Sequence, residues 1–267
     1  MAERTRLGVL GWPVSHSRSP QMQNAALRQT GLAGWRYQHL PVPPELLAET
    51  VRALPAAGFR GVNVTVPHKQ AALGFADRAS QSAADIGATN TLRFEADGTM
   101  VADNTDAPGL IEALPFSPRG RTAQVMGAGG SARAVVWALV QGGAERVSVW
   151  NRTPERAAAL TQELGGTAVA EPVEADLLIN CTTIGLDFRA QLKHLPLLTE
   201  WQARYVCVVD LVYAPTETDL ISAARRASLA VVDGLELLVA QGALSFELFT
   251  GRPAPREVMR QAVGRLA

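Results

Sequence analysis

Near the middle of the chain the apolar run Ala123 to Met126 passes straight into Gly127-Ala128-Gly129-Gly130-Ser131-Ala132, and then into the helix-forming stretch Ala132 to Val140. A second strand-like run, Arg146 to Trp150, follows and ends in Asn151-Arg152-Thr153. Strand, glycine turn, helix and strand in that order form a dinucleotide-binding unit, here with alanine at the third fingerprint position. Each small residue has a task. Gly127 permits the tight turn, Gly129 lets the backbone approach a pyrophosphate, and Ala132 lets helix and strand pack closely. The pyrophosphate would sit on the free N–H groups at the helix start, through Gly130 and Ser131, where the helix dipole also favours negative charge.

The end of the second strand selects the cofactor. An acidic residue there would accept hydrogen bonds from a ribose 2′-hydroxyl and would repel a 2′-phosphate. This chain carries Asn151, Arg152 and Thr153 instead, with Arg156 one turn further on. A guanidinium holds a phosphate through paired, charge-assisted hydrogen bonds. The expected cofactor is NADP(H) rather than NAD(H).

Composition narrows the class. The 267 residues are 47% hydrophobic and 19% charged, enough for one large or two modest domains. Lys plus Arg equals Asp plus Glu, 25 each, with no basic run, so no nucleic-acid surface is expected. Cys181 and Cys207 lie in apolar strand-like runs and read as reduced core thiols of a cytoplasmic protein. Four scattered histidines and two cysteines show no ligand spacing, so no protein-bound metal is expected. The start, Met1-Ala2-Glu3-Arg4-Thr5-Arg6, leads into a short strand rather than a leader, and no apolar run is long enough to span a membrane.

The hundred-odd residues before the glycine turn have their own alternation. Leu7 to Gly11, Tyr37 to Pro41 and Gly61 to Val66 read as strands. Pro20 to Gln29, Glu45 to Leu54 and Gln70 to Ala76 read as helices, the first with Ser19 as N-cap and Pro20 leading. Thr89 to Glu95 and Met100 to Ala102 read as a hairpin around Ala96-Asp97-Gly98. After the turn, Ala175 to Cys181, Tyr205 to Leu211 and Leu229 to Val232 read as buried strands. Two helices close the chain, Leu235 to Phe249 and Arg256 to Leu266, split by Gly251-Arg252-Pro253. The expectation is two α/β domains, the first with a mostly parallel sheet and the second of Rossmann type, with a ligand cleft between them.

Three polar clusters lie within or just after strands of the first domain: Ser15 to Pro20, Asn63 to Lys69, and Asn90 with Asn104-Thr105-Asp106. Singly, each residue has a structural reading. Ser19 caps a helix, Ser17 is a turn residue, Asn63 and Thr65 are solvated strand residues, Lys69 is a surface lysine, and Asp106 caps the helix from Ala107.

Together these segments resemble one family. Ser17-Arg18-Ser19-Pro20, Asn63-Val64-Thr65-Val66-Pro67 with Lys69, Gly87-Ala88-Thr89-Asn90-Thr91, Asp103-Asn104-Thr105-Asp106, the glycine loop, Asn151-Arg152-Thr153 and Asp233-Gly234-Leu235 with Gln241 are similar, in order and spacing, to shikimate dehydrogenases. The likeness runs from about residue 7 to residue 250. It implies reversible, NADPH-dependent reduction of 3-dehydroshikimate to shikimate, in aromatic amino-acid biosynthesis. It also implies Lys69 and Asp106 as the catalytic pair and Ser17 and Ser19 as holders of the substrate carboxylate. Thr65, Asn90, Tyr213 and Gln241 would lie around the substrate ring, with Thr182 and Gly234 on the cofactor side. The family fold implies a substrate domain of residues 1–106 plus 238–267, with a cofactor domain, 107–237, inserted.

Several positions depart from the family's usual residues: Thr89, Glu236-Leu237, Asp219 after Thr218, and Thr183-Ile184-Gly185-Leu186. Two other readings stay open. One is a quinate/shikimate dehydrogenase with broader substrate or NAD use, against which Arg152 and the Ser17/Ser19 pair argue. The other is a non-catalytic NADPH-binding regulator, for which a retained Lys69 and Asp106 would serve no purpose. The chain could be a monomer or a homodimer, and its expected partners are small molecules only.

Overall fold

The computed structural model describes residues 5–184, 205–214 and 216–264. Its contacts divide the chain into two units, one running to Gly109 and including Leu238–Gly264, the other Leu110–Leu237. The boundaries fall inside two helices, Asp106–Ala113 and Gly234–Thr250.

The first unit is built on a six-stranded sheet in the order β2-β1-β3-β5-β6-β4. Its strands are β1 (Arg6–Gly11), β2 (Arg36–Pro41), β3 (Phe59–Val64), β4 (Arg78–Ala79), β5 (Thr91–Phe94) and β6 (Met100–Asp103). β1 pairs in parallel with β2 and β3, and β4 with β6, whereas β3–β5 and β5–β6 are antiparallel. The hairpin at Asp97-Gly98 forms as expected, with Gly98 at φ +87. The helices are α1 (Ser19–Gln29), α2 (Leu47–Ala53), α3 (Lys69–Leu73), α4 (Gln81–Ile86) and the start of α5 (Asp106–Ala113). The stretch expected as one helix from Glu45 begins instead as a 3₁₀ turn, Pro44–Leu46, before α2. β3 ends at Val64 rather than Val66, and the chain turns at Val66–Pro67, whose peptide is cis. Leu10, Val62, Val64, Val51 and Leu92 are among the residues of the core beneath α2 and α3.

The second unit is a parallel sheet in the order β12-β11-β10-β7-β8-β9. Its strands are β7 (Thr122–Met126), β8 (Arg146–Trp150), β9 (Thr167–Ala168), β10 (Leu177–Asn180), β11 (Cys207–Asp210) and β12 (Ala230–Val232). Among the described residues its helices include α6 (Gly130–Gln141), α7 (Pro154–Leu164) and α8 (Asp219–Arg226). The chain runs outward from β7 in one direction and resumes at β10 in the other. That reversal is the doubly wound switch point, where open α/β sheets bind ligands beyond the strand ends. The turn at Gly127 stands there, at the carboxyl end of β7.

The last two helices, α9 (Gly234–Thr250) and α10 (Arg256–Val263), complete the first unit. α10 packs on α1. Arg18 donates to the carbonyl of Val263 at 3.0 Å and Gln23 to that of Gly242 at 2.8 Å. Gly185 and Leu186, the end of the helix expected to run to Leu266, and Met1 to Arg4 lie outside the described residues. Among the described residues no helix is long and apolar enough to cross a membrane.

Candidate active site

Lys69 opens α3, just past the turn at Pro67. The N–H of Thr89 donates to its carbonyl at 2.9 Å, tying the lysine backbone to the segment just before β5. Its side chain is not on the open surface. With 11% of that side chain exposed, Nζ lies 2.7 Å from Oδ2 of Asp106, itself 17% exposed. The other oxygen of Asp106 accepts from Nδ2 of Asn90 at 2.8 Å. A carboxylate held from both sides in this way stays oriented.

Asp106 is free for this task because it does not cap its own helix. Oδ1 of Asn104 accepts the N–H groups of Asp106 (3.1 Å) and Ala107 (3.3 Å), so the capping expected of Asp106 falls to Asn104. Gln241 approaches from α9, with Oε1 3.3 Å from Nδ2 of Asn90 and its own amide donating to the carbonyl of Leu238 at 2.8 Å. Lys69, Asp106, Asn90 and Gln241 are thus joined, although they come from four separate stretches.

Asn63, expected as a solvated strand residue, is 7% exposed. It accepts from the Tyr37 hydroxyl at 2.8 Å and donates towards Ser245 at 2.8 Å. Thr65 sits in the turn after β3, its N–H on the carbonyl of Leu10 at 2.9 Å. His68, buried, holds the same turn through a ring nitrogen 2.8 Å from the carbonyl of Val42. The Thr89 hydroxyl lies 2.7 Å from the carbonyl of Asp103 and 2.9 Å from that of Thr91.

Ser19 is not the N-cap. It lies inside α1, whose N-cap position is Arg18, with no side-chain bond from Arg18 to the helix's own N–H groups. The Ser17 hydroxyl donates to Oγ of Ser19 at 3.1 Å and accepts the Ser19 N–H at 3.3 Å. The first turn of α1 carries no acidic residue, so the positive end of its dipole is not neutralised. His39 braces this loop, with Nε2 2.8 Å from the carbonyl of Ser17.

In the second unit Gly127 has φ +106, a left-handed value, and a Cβ there would lie 3.2 Å from the carbonyl carbon and oxygen of Cys181. Gly129 differs: a Cβ would meet nothing within 4 Å. Gly130 starts α6, with Ser131 in its first turn, and that turn also has no acid. Ala132 is fully buried. Ala128 is half-buried at the turn itself. Thr182 stands across from the turn and donates to Oδ1 of Asn180 at 2.7 Å. Asn151 folds over the next turn, donating to the carbonyl of Thr153 at 2.8 Å. Arg152 and Arg156 are exposed, and neither has an acidic partner among the described residues. Open space at Gly129, an unneutralised helix start and two available guanidiniums fit a dinucleotide with an additional phosphate.

Tyr213 lies in this second unit and lines a small groove with Thr218, Asp233, Gly234 and Leu235. Beneath it Asp210, 1% exposed, accepts from Asn180 (2.9 Å), from the Val212 N–H (3.0 Å) and from the Thr218 hydroxyl (2.7 Å). Burial pushes its carboxyl up to about 6, against the pull of those three donors. Burial also raises the Cys207 thiol to about 11, and neither cysteine is in a disulfide. Thr218 caps α8, and Asp219 at its first position suits the helix dipole.

Sequence reasoning misses Ser245 and Asp210, and it singles out Asn104 and Thr105 only as members of a polar cluster. Ser245 left a signal. It is a lone hydroxyl in an apolar helical run, four residues after Gln241 and so on the same face. Among the described residues no cluster of ligands suits a metal ion.

Three family models match in succession. The substrate-binding domain of shikimate dehydrogenase matches residues 9–92, the shikimate/quinate 5-dehydrogenase model matches 113–233, and the shikimate 5'-dehydrogenase C-terminal domain matches 234–263. A shikimate dehydrogenase (NADP(+)) of Methanopyrus kandleri is 41% identical over 98% of this chain and 96% of its own. The structure of shikimate dehydrogenase from Aquifex aeolicus superposes with a TM-score of 0.89, at 33% identity and 98% coverage of both chains. That of shikimate 5-dehydrogenase from Thermus thermophilus, solved with NADP(H) and shikimate, does so with 0.84 at 42% identity, covering 97% of this chain and 98% of the other.

Proposed function

From the premise that the chain belongs to the shikimate dehydrogenase family, we infer an NADP(H)-dependent oxidoreductase that interconverts 3-dehydroshikimate and shikimate. The observation that carries the chemistry is the Lys69–Asp106 pair at 2.7 Å, with Asn90 on the second carboxylate oxygen.

Bound NADPH supplies the hydride. The chain's own residues must then meet the charge that develops on the ketone oxygen. Lys69 does so as an ammonium, giving its proton from Nζ as the oxygen becomes a hydroxyl. In the reverse direction the same nitrogen accepts the hydroxyl proton. Asp106 orients the amine through their 2.7 Å contact. Ser17, Ser19 and the start of α1 offer hydroxyls and a positive dipole to the substrate carboxylate. Thr65, Asn90, Tyr213 and Gln241 supply polar contacts to the ring. Gly127 through Ala132, with Thr182 and Gly234, hold the dinucleotide, and Asn151, Arg152, Thr153 and Arg156 its 2′-phosphate. The unit containing Leu238–Gly264 takes the substrate and the other unit the cofactor. A cytoplasmic location accords with two cysteines kept as thiols. Both a monomer and a homodimer accord with a site supplied by one chain.

The test follows reduced nicotinamide by absorbance with shikimate and NADP⁺, then NAD⁺, then quinate. Turnover is expected with the first pair and far less with the others. Faster turnover of quinate, or with NAD⁺, would move the chain to the broader quinate/shikimate reading. No turnover with any pair would remove the enzymatic one.

A further inference from the structure

Behind Asn90 lies a closed set of buried polar groups in which Ser245 is the centre. Ser245 is 0% exposed. Its Oγ lies 2.8 Å from Nδ2 of Asn63, 2.9 Å from Oγ1 of Thr105, 3.0 Å from Oγ1 of Thr91 and 3.1 Å from the carbonyl of Gln241. Asn90 in turn reaches Oγ1 of Thr105 and Oδ1 of Asp106 with Nδ2, both at 2.8 Å. Its Oδ1 accepts the Thr105 N–H at 2.8 Å and the Thr91 hydroxyl at 3.0 Å.

One arrangement of protons fits the contacts to Asn63, Gln241, Thr105 and Asn90, with the Thr91 hydroxyl turned to Oδ1 of Asn90 rather than to Ser245. The Asn63 amide can only donate, so it occupies one lone pair of Ser245. The carbonyl of Gln241 can only accept, so it takes the Ser245 proton. The remaining lone pair of Ser245 is the nearest acceptor for the Thr105 hydroxyl, at 2.9 Å against 3.2 Å to Oδ1 of Asn90. With its proton drawn to Ser245, Thr105 offers a lone pair to Asn90. The Asn90 amide is then held with its hydrogens towards Thr105 and Asp106.

We propose that Ser245 is a positioning residue for the reaction: by accepting the Thr105 hydroxyl it fixes the Asn90 amide as a donor to Asp106. This rests on Lys69 and Asp106 being the catalytic pair. Without the Ser245 oxygen, the Thr105 hydroxyl turns to Oδ1 of Asn90, already shared by two donors, and the Asn63 amide loses a buried acceptor. Asn90 is then less firmly aligned, and with it the carboxylate that orients Lys69.

The test is a double-mutant cycle on the whole enzyme, using Ser245→Ala, Thr105→Val and the double variant, with Thr105→Ser as the control that keeps the hydroxyl. Each single loss should lower kcat/KM for shikimate about tenfold, the effect of one buried hydrogen bond, with the KM for NADP⁺ within about twofold of the parent. The double variant should be no worse than the poorer single, and Thr105→Ser should stay near the parent. Parental kcat/KM in Ser245→Ala, losses that multiply in the double variant, or a raised NADP⁺ KM in step with the shikimate loss would overturn the proposal. If Ser245→Ala does not fold, the contrast between Thr105→Val and Thr105→Ser decides alone. Lys69→Ala run alongside separates the two readings. An active Lys69→Ala enzyme removes the catalytic pair itself, whereas an inactive one beside a normal Ser245→Ala enzyme removes only the positioning role.

Discussion

Lys69 and Asp106 form an ion pair largely withdrawn from water. Such pairs contribute little net stability, because desolvation offsets most of their attraction. The pair is therefore better understood through what it holds ready than through the fold it supports. Lys69→Ala should lower turnover by roughly 10²–10⁴ with little change in NADPH affinity, measured by steady-state rates and cofactor titration. Retention of ordinary turnover would take the amine out of the chemistry. Asp210 is the contrasting case, a buried carboxyl that touches no reacting group in this reading. Burial lifts it from 3.8 to about 6, so between those values the folded chain keeps a proton that the unfolded chain has released. Stability then falls as pH rises through that window, and the ionised carboxylate costs about 3 kcal/mol above it. Asp210→Asn removes the titration. From about pH 4 to about pH 7 its unfolding free energy should gain on the parent's by roughly that amount, whatever the fixed offset from the altered Thr218 and Val212 bonds. A difference that does not vary with pH in urea titrations would contradict this.

At the level of elements, the glycine turn divides its work between two residues. Gly127 serves the fold, since its backbone is left-handed and a Cβ there would press on the Cys181 carbonyl. Gly129 faces open space, so a side chain there meets no protein atom. Gly127→Ala should destabilise the chain by about 1–3 kcal/mol, seen as a lower melting temperature. Gly129→Val should melt like the parent yet raise the KM for NADP⁺ on the order of tenfold or more, as contacts to the pyrophosphate are lost. Matching effects from the two changes would show that the turn is not divided in this way. Local chemistry of this kind is what a sequence exposes: a strand, a positive-φ glycine and a helix start are neighbours along the chain. Lys69, Asp106, Asn90 and Gln241 are reached from sequence only through resemblance, because nothing local joins them. α7 and α8 are not anticipated, although Ala157, Leu160 and Leu164 repeat at helical spacing in α7. Alanine offers too little contrast in hydrophobicity to make such a face stand out. Ser19 is expected to cap α1 because hydroxyls commonly do. The helix begins one residue earlier because the Ser17 oxygen already takes the Ser19 N–H. Ser245 is hidden for a different reason: its partner Asn63 is 182 residues away, and only the folded chain brings the two within 2.8 Å.

At the scale of the molecule, the first unit is discontinuous. Its sheet comes from the opening residues, but Gln23, Asn63, Thr91 and Thr105 find partners on α9, and α10 covers α1. A chain stopped after Leu237 would leave the buried amides of Gln23 and Asn63 short of acceptors, each worth about 1–3 kcal/mol, and would bare an apolar face. It is expected to lose the compact first unit while keeping the second, checked by hydrogen exchange of amides in β1, β3 and β5 against those in β7 and β10. Strong protection in the first set would refute that dependence. The same discontinuity inverts the timetable of synthesis. As the polypeptide leaves the ribosome, the later-coded unit has its described parts by Leu237, whereas the earlier-coded sheet must wait for α9 and α10. During that interval the earlier-coded sheet, not the later-coded one, stays without its covering helices.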